Sequence, residues 1–183
     1  DIKGSGSAWY EINAEIQAKF DSLQLYQNDY SGLTFSGNLE NGSGTFRSDL
    51  DSKNLRYDLT ATVDLDSINS QVNLNLNLIG ADFTALGLTP KSTKAQLNLA
   101  ANFAGNFEEF QANATISDAT IMQEQKPYPL GTIRLNAFVK NDSTNINLES
   151  RPMVGFLQAN ANPSELSAAL TKYFNGYFGI KDT

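Results

Sequence analysis

Val72-Asn73-Leu74-Asn75-Leu76-Asn77-Leu78 is the stretch of sequence that decides the fold. Apolar side chains occupy every even position and asparagine every odd one, and this period of two is typical of a half-buried β-strand. The same rule holds from Leu55 to Leu65 and from Ala95 to Phe103. Three such long runs in the middle of one chain indicate an all-β protein.

Working outward, the alternation predicts about ten strands in an antiparallel sheet. The further segments are Tyr10 to Phe20, Leu33 to Leu39, Phe46 to Leu50, Phe110 to Ile116, Ile133 to Val139 and Ile146 to Leu148. Asn41-Gly42 is the preferred pair for a tight type I′ hairpin turn, and Lys53-Asn54 and Asn141-Asp142 are read in the same way.

Three segments break the alternation. Residues 83–88 fit one short helical turn that Gly87 and Pro90 stop, and residues 123–129 are predicted to be a loop because Pro127 and Pro129 disfavour a central strand. A C-terminal helix is expected near 163–176, with Asn162 as N-cap and Glu165 completing a capping box. Its apolar stripe needs a cover, for which one end of the sheet is the nearest candidate. No linker interrupts the chain, so residues 1–183 are taken as a single domain.

Composition excludes several kinds of chemistry. The 183 residues contain no Cys and no His, so thiolate nucleophiles, disulfides, zinc clusters and imidazole-based catalysis cannot be built. The net charge of -7 argues against nucleic acid as a partner. No run reaches the length of a membrane-spanning helix, no signal peptide opens the chain, and no initiator Met is present. We interpret the chain as a processed or excised piece.

Small clusters of polar residues offer little chemistry. Asp64 with Asp66, Asp49 with Asp51, and Glu108 with Glu109 are the close acidic pairs, and they are best read as solvated side chains on a polar strand face. Gly4-Ser5-Gly6-Ser7 resembles a linker more than a phosphate cradle. Trp9-Tyr10 is read as the start of a strand rather than a sugar anchor. We therefore expect no catalytic residues, no metal and no cofactor, and no enzyme activity.

The alternating apolar residues are the candidate site. Their side chains are predicted to share one face of the sheet, as a closed core between two sheets or as an open apolar surface for acyl chains or another protein. A third arrangement, an outer-membrane barrel, would turn these side chains to lipid, but aromatic girdles are missing. The predicted lining residues are Leu33, Phe35, Leu39, Phe46, Leu50, Leu55, Tyr57, Leu59, Val63, Leu74, Leu76, Leu97, Leu99, Phe103, Phe110, Ile116 and Leu135.

The order of short motifs resembles a known family. Gly80 to Leu88 follows the Leu/Asn strand, and Thr115 to Ile121, Tyr128, Ile133-Arg134-Leu135, Leu148-Glu149-Ser150 and Pro163-Ser164-Glu165-Leu166 come after it. This series is similar to a periplasmic segment of the TamB (translocation and assembly module subunit) family in its Bacteroides-like form. The resemblance covers most of Leu55 to Phe178 and, more loosely, the hairpins before it. It also resembles the wider AsmA-like family.

The resemblance implies a curved sheet folded into a taco-like trough (a β-taco), within a periplasmic envelope protein anchored in the inner membrane. It implies phospholipid acyl chains as ligand and an Omp85-type (TamA-like) outer-membrane barrel as partner of the parent protein. The membrane anchor and the partner-binding end are lacking here, so an internal fragment is expected.

Two other functions compete with lipid transport between the membranes. The first alternative is an assembly factor for outer-membrane proteins that acts by β-strand augmentation, and the second is carbohydrate binding, against which the inward aromatics speak. The exposed edges of such a sheet also predict edge-to-edge self-association of the fragment.

Overall fold

The computed structural model describes residues 2–25, 28–106 and 108–178. Thirteen strands and one α-helix lie within this part of the chain. The all-β class is therefore confirmed. In order they are β1 Ile2–Ser5, β2 Asn13–Lys19, β3 Gln24–Leu25, β4 Asn28–Asp29, β5 Thr34–Glu40, β6 Ser43–Asp51, β7 Leu55–Asp64, β8 Ser70–Asp82, β9 Thr93–Gly105, β10 Phe110–Gln123, β11 Lys126–Lys140, β12 Ser143–Ser150, β13 Val154–Ala159 and α1 Pro163–Phe178.

Eleven strands form a single antiparallel sheet in the order β1-β2-β5-β6-β7-β8-β9-β10-β11-β12-β13. Neighbours in the sheet are therefore neighbours in the chain, apart from β3 and β4, which pair only with each other. The sheet does not close into a barrel, because β1 and β13 stand at its two opposite edges. The sequence patterns missed β1, β3, β4 and β13, all of which have six residues or fewer.

The strand registers align apolar residues across the whole sheet. Residues that face each other in adjacent strands point to the same side, so one row can be followed from β2 to β13. The row through Leu74 consists of Ile16, Gly37, Phe46, Ala61, Leu74, Ala101, Ala114, Leu135, Leu148 and Gly155. No charged or amide side chain enters this row.

Two of the predicted hairpin turns have the expected left-handed geometry. Asn41 and Gly42 have φ angles of 48° and 77°, and Asn141 and Asp142 have 50° and 56°. The connection at Lys53-Asn54 is tight, since Ser52 N donates to Leu55 O at 3.0 Å, but neither central residue has a positive φ. It is therefore a different kind of turn.

The predicted loop at 123–129 is wrong. β10 continues to Gln123 and β11 begins at Lys126, with Glu124 and Gln125 in a tight turn at φ angles of 50° and 69°. Both prolines are tolerated because β12 pairs with β11 only from Ile133 onward. Pro127 faces Met122, and Pro129 faces Thr120. At these alternate positions the backbone nitrogen points away from β10, toward the side of β11 that β12 does not reach. The prolines therefore remove no hydrogen bond between strands.

The two helical predictions are both recognisable. At residues 83–88 a single turn ends in a Schellman motif: Leu88 N donates to Phe83 O, Gly87 N donates to Thr84 O, and Gly87 has a φ of 77°. Helix α1 begins with the expected capping box. Glu165 N donates to Asn162 Oδ1 at 2.9 Å, and Asn162 N donates to Glu165 Oε2 at 3.4 Å.

The sheet has almost no buried core. Among the described residues, only Leu50, Ala81, Ala119 and Val139 are buried apolar side chains. The accessible surface of 12778 Å² is about half as large again as the roughly 8,700 Å² expected for a compact monomer of this mass. Eleven of the described strands therefore form one open sheet, and they do not form the two packed sheets of a sandwich.

Candidate functional site

The apolar face is the side of the sheet that carries the row through Leu74. Of the predicted lining residues, Leu33 lies just before β5, and all the others lie in sheet strands on this face. Neighbouring rows are equally apolar: Leu59, Leu76, Leu99, Ile116 and Ile133 face one another in succession across β7 to β11. The structure thus brings the predicted set together on one surface.

Exposure along the apolar face is intermediate rather than buried. Leu50 is only 3% exposed and Leu135 is 40% exposed, while the other predicted lining residues fall between the buried and exposed classes. Side chains with this exposure are shielded by their neighbours in the sheet but are not covered by a second layer. The face is therefore accessible to a ligand.

Several residues of the same face escaped the sequence prediction. Val72, Leu78, Ile133, Ile146, Leu148 and Leu157 occupy the same rows as the predicted residues. The alternation that identified Leu74 and Leu135 also contains them, so that signal was sufficient to find all but Leu157, whose strand was not predicted.

Two pairs of aromatic rings pack against each other on the apolar face. The rings of Phe35 and Phe46 stack with centroids 6.2 Å apart, and those of Phe103 and Phe110 lie 5.4 Å apart. The Phe46 ring also lies over Gly37, where an added Cβ would come within 2.3 Å of Phe46 Cδ1. A side chain at position 37 would therefore displace the ring.

One corner of the apolar face is covered by the segment that leads into α1. Thr144 and Val139, which face each other in β12 and β11, are each 1% exposed. Thr144 Oγ1 donates to the carbonyl oxygen of Ala161 at 2.8 Å, which ties the chain after β13 to this corner. The segment just before α1 thus lies against this corner of the sheet.

The opposite corner is closed by polar contacts. Asn54 Nδ2 donates to Asn28 Oδ1 at 3.0 Å, which joins the β3–β4 hairpin to the β6–β7 turn. Nearby, Ser48 is the polar member of an apolar row, and its hydroxyl lies 2.9 Å from Tyr57 Oη and donates to Thr34 O. The hydroxyl groups of Ser48 and Tyr57 already form hydrogen bonds, so neither is free to bind a ligand.

The opposite side of the sheet, the polar face, is dominated by neutral amides. Five asparagines form one row across β8 to β12, and Asn113 Nδ2 donates to Asn102 Oδ1 at 2.9 Å within it. Depressions of about 290 to 430 Å³ on this side are lined mainly by polar residues of neighbouring strands. The row consists of Asn73, Asn102, Asn113, Asn136 and Asn147.

Three of the acidic residues in the predicted pairs accept hydrogen bonds from neighbouring residues. Asp64 and Asp49 accept hydrogen bonds from the hydroxyls of Ser43 and Thr34, which face them across the sheet. Asp66 accepts from the backbone N–H groups of Ile68 and Asn69, and these bonds lower the pKa of its carboxyl group. Within the described residues, no group of acidic side chains is arranged to hold a metal ion.

Asp82 stabilises the turn that follows β8. Its Oδ1 accepts from Ala85 N at 3.0 Å, and Lys94 Nζ lies 3.3 Å from Oδ2. The hydrogen bond from Ala85 and the Lys94 ammonium both lower the pKa of Asp82, against the opposing effect of burial.

Two N-terminal predictions are corrected. Gly4 and Ser5 belong to strand β1 rather than to a linker, and Gly4 faces Ala14 in β2. Trp9 and Tyr10 begin a short 3-10 helix, Trp9–Glu11, instead of a strand.

Within the described residues, no helix combines the length and apolar character needed to cross a membrane. No protein-family model, curated protein or solved structure matches the chain.

Proposed function

We propose that the apolar face carries phospholipid acyl chains, and that the chain is a segment of a TamB-like envelope protein that moves phospholipid between the inner and outer membranes. The observation that carries this proposal is a mainly apolar face of the eleven-stranded sheet that, apart from the corner at Ala161, no second layer covers in the described part of the chain. Large exposed apolar surfaces of this kind mark sites that bind a ligand, a membrane or another protein.

The exposed fractions of four alanines in β9 support the interpretation that the apolar face is more enclosed than the polar face. Ala95 and Ala101 on the apolar face are half-buried, whereas Ala100 and Ala104 on the polar face of the same strand are exposed. The side chain is identical in all four cases, so the difference reflects the surroundings. A sheet curved toward its apolar side, as in a β-taco, accounts for this contrast.

Bulges provide a means of curving the sheet. The β8–β9 register shifts between Leu78 and Ala81, and the β9–β10 register shifts between Ser117 and Thr120. Asp118, inside the second shift, has a φ of 53°. Bulges bend the strands that carry them, and Ala81 and Ala119 beside these bulges are 4% exposed.

The chemistry of the face fits a carrier better than a selective binding site. Each acyl methylene that moves from water onto Leu, Val and Phe side chains gains about 0.8 kcal/mol. The polar groups on this face, such as Ser48 and Tyr57, already bond to each other. A ligand therefore meets no directional contact that would hold it in one place, and sliding along the face is expected.

Photo-crosslinking at adjacent positions of β8 tests the proposal. A benzophenone amino acid is placed at Leu76, on the apolar face, or at Asn75, on the polar face, and the purified protein is incubated with vesicles of radiolabelled phosphatidylethanolamine. We expect label at Leu76 and none at Asn75. The Asn75 variant also controls for nonspecific capture, because a partly unfolded chain would be labelled at both positions.

Absence of label at Leu76 in a folded protein would overturn lipid carriage. Label at Asn75 alone would mean that lipid contacts the polar face, which also contradicts the proposal.

Outer-membrane protein assembly is the second candidate function, and the open β13 edge favours it. Among the described strands, none pairs with β13 on its outer side, so a strand of a client protein could pair with it by β-augmentation. In that case the apolar face would serve stability alone. A periplasmic location, an inner-membrane anchor and an Omp85-type barrel partner belong to the proposed family and to the parent protein.

A further inference from the structure

We propose that the free edge of β13 pairs antiparallel with the same edge of a second copy of this chain, around a two-fold axis at Phe156. The β13 edge consists of Val154, Phe156 and Gln158, the residues whose backbone groups point away from β12. This assignment follows from the β12–β13 turn, where Ser150 N donates to Met153 O at 2.8 Å. Hydrogen-bonded and non-hydrogen-bonded pairs then alternate, so Gly155, Leu157 and Ala159 bond to β12.

The side chains along this edge are unusually exposed for apolar residues. Phe156 is 82% exposed and Val154 is 79% exposed, and both lie on the otherwise polar face of the sheet. Leu157 lies on the apolar face, so β13 is apolar on both sides. A strand with this pattern is typical of a position covered on both faces inside a larger sheet.

The β13 edge lacks the usual protection of an edge strand. Natural edges are blocked by charges, prolines, bulges or short length. The opposite edge, β1, has only four residues and carries Lys3. In contrast, Val154–Ala159 contains no charged residue and no proline.

As far as residue 178, the chain that follows β13 leaves the edge of this strand open. The contact of Thr144 Oγ1 with Ala161 O draws this chain back over β12, on the side away from the free edge. Helix α1 therefore does not occupy the place of a neighbouring strand, as the exposure of Phe156 and Val154 also indicates.

The strand is complementary to itself. Centring the two-fold axis on Phe156 places it opposite its own copy, and Val154 then faces Gln158 of the second copy. These three pairs would form about six backbone hydrogen bonds, two in each pair. On the apolar face, Leu157 faces the second copy's Gly155, which leaves room for its side chain. The two apolar faces would join into one surface.

Oligomeric state across a concentration series tests the interface. Sedimentation velocity is expected to show a dimer of the wild-type chain, and Phe156→Lys is expected to weaken dimerisation by about tenfold or more, because two lysines would meet at the axis. Phe138→Lys is the matched control, since Phe138 is 48% exposed on the same face but lies two strands from the edge. It should leave the dimer intact.

Cysteine crosslinking tests the register, because the chain has no Cys of its own. Phe156→Cys is expected to form an intermolecular disulfide, since facing Cα atoms of a hydrogen-bonded pair lie about 5.5 Å apart. Val154→Cys alone should not, because it faces Gln158 of the second copy. A monomeric wild type, a dimer unaffected by Phe156→Lys, or a crosslink at Val154→Cys in place of Phe156→Cys would each overturn the proposal.

Discussion

Gly42 joins three segments of the sheet at one residue. Its N–H donates to Ile12 O at 2.9 Å, and its carbonyl accepts from Leu65 N at 3.0 Å. With a φ of 77°, it holds a conformation that side chains disfavour, and an added Cβ would lie 2.7 Å from Tyr10 O. Gly87 has the same φ but has open space around the Cβ position. A side chain at Gly87 would therefore cause backbone strain alone, whereas a side chain at Gly42 would cause backbone strain and a steric clash.

Alanine substitution of these two glycines should have unequal effects. Gly87→Ala should lower the free energy of unfolding by about 1 to 2 kcal/mol through backbone strain alone. Gly42→Ala should lower it by about 3 kcal/mol or more, because the methyl group also collides with the Tyr10 carbonyl. Urea unfolding of both variants measures the difference. Equal losses would show that the packing at Gly42 is looser than the contact distances imply.

At the scale of single elements, the hairpins differ in how well their turn residues suit their conformation. Asn41-Gly42 and Asn141-Asp142 use residues that tolerate positive φ, whereas the β10–β11 hairpin places Glu124 and Gln125 in the same conformation. That hairpin forms because two long strands pair on either side of it. Strand pairing thus overrides local preference at this turn.

Replacing Glu124-Gln125 by Asn-Gly should therefore stabilise the protein. Relief of the left-handed strain is expected to raise the free energy of unfolding by about 1 kcal/mol. The control is Lys53→Asn alone, because position 53 has no positive φ and Asn54 keeps its hydrogen bond to Asn28, so no gain is expected. The urea midpoints of both variants provide the measurement. A gain in the control equal to that at 124–125 would contradict the explanation.

At the scale of the whole molecule, the large exposed surface determines which interactions stabilise the folded state. Contacts between strands run along the sheet from neighbour to neighbour, and few side chains are buried from both sides. Backbone pairing and shielding within the apolar rows therefore carry more of the stability than in a protein with a closed core.

The denaturant dependence of unfolding should reflect this open form. An unfolded chain of this mass exposes about 29,000 Å², so starting from 12778 Å² leaves about one fifth less area to expose than a compact fold would. The urea m-value scales with that area and should be about one fifth below that of a compact domain of equal length. The m-value is measured by urea unfolding of lipid-free protein, at concentrations too low for it to dimerise. An m-value typical of a compact fold would mean that the apolar face is covered in solution.

The sequence by itself determined where the long strands of the sheet lie and which side chains share each of its two faces. Alternation from Leu55 to Leu65 and from Val72 to Leu78 depends only on neighbouring residues, and a strand necessarily turns successive side chains to opposite sides. Hence the apolar residues could be placed on one surface without knowing the fold. The helix start at Asn162 and the turn at Asn41-Gly42 were predictable for the same reason, because capping and left-handed turns are local chemistry.

Only the tertiary structure decided that these strands form one open sheet. The same alternation suits a sandwich and an open face, and the choice between them depends on which strands pair at long range. The strand at Lys126–Lys140, with its two prolines, also needed tertiary information, because their tolerance depends on where β12 ends. The exposed β13 edge arises likewise from the end of strand pairing at Val154–Ala159, which a local pattern cannot reveal.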